Sequence, residues 1–190
     1  MDKLGVIVPY RNREEHLEEF KKKISKHLNK QGIPFELIIV HQDDAKLFNR
    51  GMLLNIGFIY AEKYGCNYVV FHDVDMLPLH VDYSFSNIPI HLPNEVYVED
   101  GARKKLRDTF DEYFGGVTMF PMDVFRNING YSNKYWGWGY EDTDLLLRCK
   151  RKNIELGIIK YKNVKPKSKS LFFNGCLLYT SPSPRDRQKS

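Results

Sequence analysis

Three short apolar segments, separated by two longer amphipathic ones, occupy the first 75 residues of the chain. The apolar segments 4–10, 35–40 and 68–71 are rich in β-branched and aromatic residues, which predicts three buried strands. Between them, apolar residues recur every three or four positions over 13–30, and a second helix is predicted over 48–64. Strands that alternate with helices are typical of a parallel sheet with both faces covered. The chain is therefore predicted to have an α/β fold, with a mostly parallel central sheet flanked by helices.

The pattern of the remaining residues is less regular. Residues 82–111 are predicted to be rich in loops, with short extended pieces. A strand is predicted over 114–121, and a short helix that ends at Asn127 follows it. A helix over 145–152 and a strand over 154–161 complete the predicted elements. No internal repeat is present, so one domain is expected.

The composition fits a soluble globular domain. The chain has 190 residues, of which 42% are hydrophobic and 14% aromatic, and this excludes a disordered or fibrous protein. Its longest aliphatic run, Leu37–Val40, is far shorter than the roughly 20 residues that span a bilayer. The net charge of +5 comes largely from basic runs at 160–169 and 185–189, which we interpret as solvated surface rather than a nucleic-acid site. Three cysteines without paired spacing argue against a structural zinc site and favour a reducing compartment.

The C-terminal segment does not continue the α/β pattern. Residues 181–188 are polar, interrupted by proline and without periodicity, and they resemble a translated sequencing-library adapter. We therefore predict one domain over 1–174, incomplete at its C-terminus, and a disordered, non-native tail over 175–190. A natural disordered tail is the alternative.

Polar motifs follow each of the first three predicted strands, at 9–13, 41–44 and 72–75. In parallel sheets, ligands bind beyond the carboxyl ends of the strands. The carboxylates of Asp73 and Asp75 suit Mg²⁺ or Mn²⁺, and phosphate oxygens could complete the coordination shell. An exposed turn or a helix cap is the alternative interpretation of these acids.

Two further features favour a phosphate-bearing sugar ligand. Arg11 and Arg13 follow the first strand, and guanidinium groups bind phosphate through paired hydrogen bonds, although Arg13 could simply begin the surface of the helix. Both tryptophans of the chain lie in 136–144, separated by single glycines, and tryptophan faces suit the apolar face of a pyranose. Glu141 and Asp142 in the same segment could accept hydrogen bonds from hydroxyls or act as a general base. The alternative is that the tryptophans belong to the core and the acids favour a helix dipole.

Five motifs in order, at 9–17, 48–58, 71–78, 113–117 and 136–144, resemble the β-1,4-galactosyltransferase family, which is family 7 of the glycosyltransferases. The resemblance covers residues 4 to about 160. It implies a GT-A fold of the nucleotide-diphospho-sugar transferase type. It also implies inverting transfer of galactose, or a related hexose, from a UDP-sugar to a hydroxyl of a glycan acceptor, assisted by Mn²⁺.

The resemblance also implies a role for individual residues. Asp75 matches the direct metal ligand, Asp142 the general base and Glu141 a second catalytic acid. Tyr113 matches a position that tunes which donor sugar is accepted, and a mobile loop bearing Trp138 is expected to close over the sugars. Donor-binding residues correspond to Pro9, Tyr10, Arg11, Arg13, Phe48, Arg50, Asp73, Tyr113, Gly115, Gly116 and Trp138, and acceptor-binding residues to Trp138, Gly139, Glu141 and Asp142.

The sequence departs from the family in ways that leave some points open. The family takes further metal ligands from a Met and a His downstream of the Trp-Gly-Trp-Gly motif, whereas the last such residues here are Met122 and His91. Truncation explains this difference, and we expect the chain as written to bind Mn²⁺ weakly. Tyr140 and Thr143 also differ from the commoner family residues, which leaves the acceptor unassigned.

Two other functions and two compartments are the alternatives. A catalytically inactive UDP-sugar- or carbohydrate-binding relative would also lack the two ligands. A metal phosphohydrolase with Asp73 as nucleophile is disfavoured, because Leu77 stands where a hydroxyl residue is needed and the motif follows the third strand rather than the first. We expect the Golgi lumen if a membrane anchor belongs to the whole protein, and the cytoplasm otherwise.

Overall fold

The computed structural model describes residues 2–92, 95–98, 103–105, 114–137, 139–158 and 176–179. The helices are α1 (Glu14–Gln31), α2 (Arg50–Lys63), α3 (Met122–Asn127) and α4 (Glu141–Arg151). The strands are β1 (Leu4–Tyr10), β2 (Phe35–His41), β3 (Tyr68–His72), β4 (Met76–His80), β5 (Ile90–His91), β6 (Glu95–Val98), β7 (Arg103–Lys105), β8 (Val117–Pro121), β9 (Gly157–Ile158) and β10 (Cys176–Tyr179).

Six strands form the central sheet, in the order β2-β1-β3-β8-β5-β9. β1 is parallel to β2 and to β3, with Leu4 opposite Phe35 on one side and Tyr68 on the other. β8 is antiparallel to both β3 and β5, whereas β5 is parallel to β9. The predicted parallel arrangement is thus confirmed for β2, β1 and β3, whereas β8 interrupts it.

The central sheet is covered by helices on both faces. One face packs against the apolar stripe of α1, formed by Leu17, Phe20, Ile24 and Leu28. On the other face, α2 approaches so closely that a Cβ on Gly57 would lie 2.2 Å from a methyl group of Ile7. All seven residues of β1 are buried. Burial on both faces explains why β1 is an uninterrupted apolar run rather than an alternating one.

A second sheet has the order β4-β10-β6-β7, and two of its strands differ from the sequence predictions. β4 contains Pro78, which made a strand there difficult to predict, and it pairs with β10 outside the central sheet. Cys176–Tyr179 fall within the tail predicted to be disordered over 175–190, and in the structure they form a strand that pairs with both β4 and β6. Residues 180–190 lie outside the described residues, and the origin of the tail stays a prediction.

Smaller differences concern the ends of elements. The strand predicted over 114–121 begins at Val117, and the helix predicted from residue 145 begins four residues earlier, at Glu141. Of the strand predicted over 154–161, only Gly157–Ile158 is described as a strand. Within the described ranges, no helix combines the length and apolar character needed to cross a membrane.

Candidate active site

The carboxyl ends of the first three strands meet at one edge of the central sheet. Tyr10 at the end of β1 pairs with His41 at the end of β2, and their rings make an edge contact at 5.1 Å. β3 runs beside β1 in the same direction and leads into Asp73. The three polar motifs that the sequence placed after these strands therefore lie along one edge, as predicted.

Asp73 and Asp75 are carried by a tight turn after β3. The Met76 N–H donates to the Asp73 carbonyl at 3.1 Å, and the Asp73 N–H donates to the Gly116 carbonyl at 3.0 Å. Gly116 has a φ of +77°, a conformation that glycine adopts without strain. Of the two glycines predicted to bind the donor, Gly116 thus contacts the turn through its backbone carbonyl, and the Gly115 carbonyl contacts Nε2 of His91 at 2.8 Å.

Each acid of the turn is paired with an arginine at the start of a helix. Arg13, which precedes α1, places Nη1 at 2.7 Å from Oδ2 of Asp75. Arg50, the first residue of α2, places Nε at 2.8 Å from Oδ1 of Asp73. Arginines at the starts of α1 and α2 therefore both reach the turn.

Arg50 connects the Asp73 turn with the beginning of α4. Its side chain is 3% exposed, its Nη1 lies 3.6 Å from Oε1 of Glu141, and its guanidinium stands over the Tyr131 ring at 5.9 Å. Burial alone would lower the pKa of Arg50, but the negative charges of Asp73 and its neighbours hold that pKa well above the ordinary value. Arg50 thus bridges the motif that the sequence predicts to bind the donor and the motif that it predicts to bind the acceptor.

The two predicted catalytic acids have different environments. Glu141 is buried against Arg50, whereas Asp142 is only partly buried and its Oδ1 accepts the Thr143 N–H at 2.7 Å. Both acids lie in the first turn of α4, where negative charge is stabilised. Of the two, Asp142 is the carboxylate that a bound molecule can reach.

Arg13 retains hydrogen-bonding capacity at this edge. Its Nη2 is buried and has no hydrogen-bond acceptor in the part of the chain that the structure describes. An unpaired buried guanidinium N–H is costly, so an anionic ligand would stabilise it.

The Arg11 side chain contacts the loop after β2, whereas the Arg13 side chain contacts Asp75. Nη1 of Arg11 donates to the Lys46 carbonyl at 2.7 Å, and its guanidinium stands 5.3 Å from the centre of the Phe48 ring. Arg11 and Phe48 are both predicted donor contacts, and they lie against each other beside the loop that follows β2. Pro9 and Tyr10 are buried at the end of β1.

The glycine-rich segment before α4 is fixed at its base. The Gly137 N–H donates to the Phe48 carbonyl at 2.8 Å. Gly137, Gly139 and Tyr140 all have positive φ, at +85°, +99° and +73°. Trp136 is 42% exposed, with the Lys46 ammonium over its ring. Trp138 and Tyr113 lie outside the described residues, so their predicted roles stay predictions.

Sequence reasoning missed a set of buried amides that support the site. Gln42 accepts the Asn49 N–H through Oε1 at 2.8 Å, and the Asn49 side chain donates to the Asn133 carbonyl at 2.8 Å. Asn49 also caps α2 by accepting the Met52 N–H. The available signal was a polar residue directly after a strand, as Gln42 is after β2.

His72 is a second residue whose role the sequence did not show. It is fully buried at the end of β3, and burial lowers its pKa to about 4, so the ring is neutral at pH 7. Its ring nitrogens contact the Asp73 carbonyl and the Tyr83 hydroxyl.

Comparison with known proteins assigns the chain to a family. Residues 1–86 match the N-terminal region of glycosyl transferase group 7, and residues 100–170 match the N-terminal domain of galactosyltransferase. The chain belongs to the β-1,4-galactosyltransferase family. The resemblance read from the five motifs is thereby confirmed.

Individual relatives in the family match most of the chain but only part of their own length. Xylosylprotein 4-β-galactosyltransferase of Caenorhabditis elegans is 39% identical over 150 residues, which are 77% of this chain and 50% of the relative. Human β-1,4-galactosyltransferase 4 is 35% identical over 159 residues, 82% of this chain and 45% of the relative. The chain spans about half the length of these curated relatives.

Solved structures of the family have the same fold. The catalytic domain of Drosophila β-1,4-galactosyltransferase 7 with xylobiose superposes with a TM-score of 0.72 at 29% identity, covering 83% of this chain and 65% of that one. A mutant of that enzyme in complex with manganese, UDP-Gal and xylobiose gives a TM-score of 0.73 with the same coverage. The predicted GT-A fold is confirmed by these neighbours.

In this family member, the acids of the turn fit a divalent cation only in part. Burial and the negative charge of Asp73 raise the pKa of Asp75, although the Arg13 guanidinium partly offsets this rise. A bound cation would add positive charge and so favour the ionised form of Asp75. Oδ2 of Asp75 is already paired with Arg13. Among the described residues, no three His, Cys, Asp or Glu side chains are grouped to hold a metal. Asp75 thus fits as one ligand of a larger set.

Proposed function

We propose that the chain carries the donor-binding and catalytic acids of an inverting galactosyltransferase that uses a UDP-sugar and a glycan acceptor. The observation that carries the proposal is the position of Arg50, which contacts Asp73 on the donor side and Glu141 on the acceptor side. Two motifs 68 residues apart in sequence are thereby held in one cluster. Family membership supports the same reaction.

The donor diphosphate is proposed to lie at the edge formed by the starts of α1 and α2. Arg13 offers a buried N–H to a phosphate oxygen, and the adjoining helix N-terminus adds favourable dipole charge. Asp75 would supply one carboxylate ligand to Mn²⁺, which when bound neutralises charge on the leaving diphosphate. A diphosphate so held leaves more readily, because the charge it gains on departure is already compensated.

Asp142 is proposed to act as the general base. It accepts the proton of the acceptor hydroxyl, while the hydroxyl oxygen forms a bond to the anomeric carbon and UDP leaves with the electrons of the broken bond. A single displacement of this kind inverts the anomeric configuration. Glu141, which Arg50 holds in place, would position the start of α4 and with it Asp142.

The segment around Gly137 and Gly139 is proposed to close over the sugars. Positive φ angles at both glycines permit changes that other residues would resist. Trp138 lies between them and would cover the acceptor, excluding water that could hydrolyse the donor.

Activity measurements on the whole protein test the proposal. With Mn²⁺, UDP-galactose and a panel of acceptors that includes xylobiose, we expect release of UDP that depends on the acceptor. The variant Asp142→Asn should bind UDP as the wild type does and turn over about 10²–10⁴-fold more slowly. Release of UDP at an unchanged rate in that variant would contradict the role of Asp142.

The second candidate function is a catalytically inactive UDP-sugar- or carbohydrate-binding protein. It is favoured by the incomplete metal set: Oδ2 of Asp75 is already paired with Arg13, and no three His, Cys, Asp or Glu side chains among the described residues are grouped to hold a metal. Calorimetric binding of UDP with Mn²⁺, without turnover of any donor by the whole protein, would support this alternative.

A further inference from the structure

His72 has two ring nitrogens that contact two different groups. Nδ1 lies 3.0 Å from the Asp73 carbonyl oxygen, and Nε2 lies 2.9 Å from the Tyr83 hydroxyl oxygen. Because a carbonyl only accepts, Nδ1 carries the proton, and Nε2 of the neutral ring accepts a hydrogen bond from Tyr83. The contacts therefore assign one tautomer to His72.

Tyr83 is itself held in place by contacts from outside the turn. Its N–H donates to the side chain of Gln31, the last residue of α1, at 3.1 Å. Its carbonyl accepts the Tyr68 hydroxyl at 2.9 Å, and Tyr83 is fully buried. On the other side, Phe20 makes an edge contact with the His72 ring at 4.8 Å. The hydroxyl that holds the imidazole is thus fixed relative to β3.

The Asp73 carbonyl closes the turn that presents both acids. It accepts the Met76 N–H at 3.1 Å in addition to the His72 contact. The second donor restrains the peptide plane between Asp73 and Val74. The orientation of that plane determines where the carboxylates of Asp73 and Asp75 lie relative to Arg50 and Arg13.

We propose that His72 and Tyr83 are positioning residues for the donor nucleotide, an inference that rests on the proposed function. The Tyr83 hydroxyl orients the imidazole, and the His72 Nδ1–H holds the Asp73 carbonyl so that both carboxylates are preset for the diphosphate and its cation. Neither residue needs to contact the donor. Supporting groups of this kind change ligand affinity by about 10–100-fold when they are replaced.

Two substitutions of His72 separate its two hydrogen bonds. His72→Asn keeps an N–H near the position of Nδ1 and loses the partner of Tyr83, whereas His72→Gln keeps a polar group near Nε2 and loses the donor to Asp73. We expect His72→Gln to raise the Kd for UDP, measured by calorimetry with Mn²⁺, by about tenfold, and His72→Asn to raise it less. Since both variants remove the same ring packing, loss of packing alone would affect them equally.

Tyrosine variants provide a matched pair in case a His72 variant fails to fold. Tyr83→Phe removes the hydroxyl that holds the imidazole, and Tyr68→Phe removes an equally buried hydroxyl that does not contact His72. Tyr83→Phe should raise the Kd for UDP and the KM for the donor while kcat at saturating donor changes little. Tyr68→Phe removes a hydrogen bond to the Tyr83 carbonyl and leaves the Tyr83 hydroxyl on His72, so it should raise both constants by less than Tyr83→Phe does. An equal or larger effect in Tyr68→Phe would contradict the role of the Tyr83 hydroxyl.

The tautomer is measured independently of function by ¹⁵N NMR of the histidine-labelled chain. The expected result is a His72 ring protonated at Nδ1 at pH 7, and a ring protonated at Nε2 would overturn the proposal. If the wild type binds UDP and the His72→Gln and Tyr83→Phe variants bind it equally well, the positioning role is overturned and the proposed function is not. A wild-type chain that binds no UDP would overturn the proposed function as well.

Discussion

Replacement of Arg50 by methionine tests the cluster that joins the two halves of the site. Met has a similar length and no charge, so Arg50→Met leaves the carboxylates of Asp73 and Glu141 without their shared cation. Removal of one partner from a buried ion pair costs about 3–5 kcal/mol. We expect about 3 kcal/mol, the lower end, because the Asp73 side chain is 23% exposed and water can partly solvate it, while the Glu141 side chain is 6% exposed.

The pH dependence of that loss distinguishes unpaired charge from lost packing. Protonation removes the cost of a buried carboxylate that has lost its cation. The loss in free energy of unfolding caused by Arg50→Met should therefore be largest at pH 7 and should decrease as the pH falls toward 4. Urea unfolding of the wild type and the variant at both pH values gives the two differences. The double variant Arg50→Met/Glu141→Gln should recover about 1 kcal/mol at pH 7, since only one charge is then left unpaired.

Arg126 provides the control for this experiment. It pairs with Glu62 on the surface, where its side chain is 61% exposed, and Arg126→Met should cost about 0–1 kcal/mol. A loss of less than 1 kcal/mol in Arg50→Met at pH 7, or a loss that does not change with pH, would refute the argument that Arg50 compensates two buried carboxylates.

Three further predictions concern catalysis, pH and packing. Asp142→Asn keeps an oxygen that can accept the Thr143 N–H, so the variant should unfold at the wild-type urea concentration while turnover falls by about 10²–10⁴-fold. Burial lowers the pKa of His91 to about 4 in the folded chain, whereas a histidine in the unfolded chain has a pKa of about 6.5. As the pH falls from about 6.5 to 4, the unfolded chain therefore takes up a proton that the folded chain does not. The free energy of unfolding should decrease by up to about 3 kcal/mol over this range. His91→Gln should make the unfolding free energy less dependent on pH across that window, and an unchanged slope would contradict the assignment. In Gly51→Ala the new Cβ would lie 2.8 Å from the Ser132 carbonyl oxygen, so we expect a loss of about 1–3 kcal/mol in urea unfolding, and a neutral effect would show that the loop can shift.

The first half of the fold could be predicted because its elements are buried in the way that their patterns indicate. β1 and β3 lie between helices and are buried throughout, so each is an apolar run without alternation. α1 has one buried stripe that recurs every three or four residues. Such patterns are local, and no knowledge of distant contacts is needed to interpret them.

The second sheet could not be predicted because its pairing is not local. β4 and β10 are joined in space although about 100 residues separate them in the sequence. Pro78 argues against a strand at β4, and the four residues of β10 are too few to show a period. The antiparallel position of β8 between β3 and β5 likewise depends on tertiary contacts rather than on its own sequence.

The same limit applies to the arginines of the site. Sequence and family resemblance gave Arg11, Arg13 and Arg50 one shared role, that of donor contact, because a motif records residue type and order only. In the structure, backbone carbonyls hold Arg11, and two carboxylates compensate Arg50. Arg13 and Arg50 each combine a carboxylate partner with a buried Nη atom that has no hydrogen-bond acceptor in the described part of the chain. Nη1 of Arg50, however, lies 3.6 Å from a second carboxylate, that of Glu141. Arg13 has one carboxylate partner and Arg50 has two, so the charge of Arg13 is the less compensated and the better placed to bind an anion. The main role of Arg50 is to compensate the two carboxylates beside it.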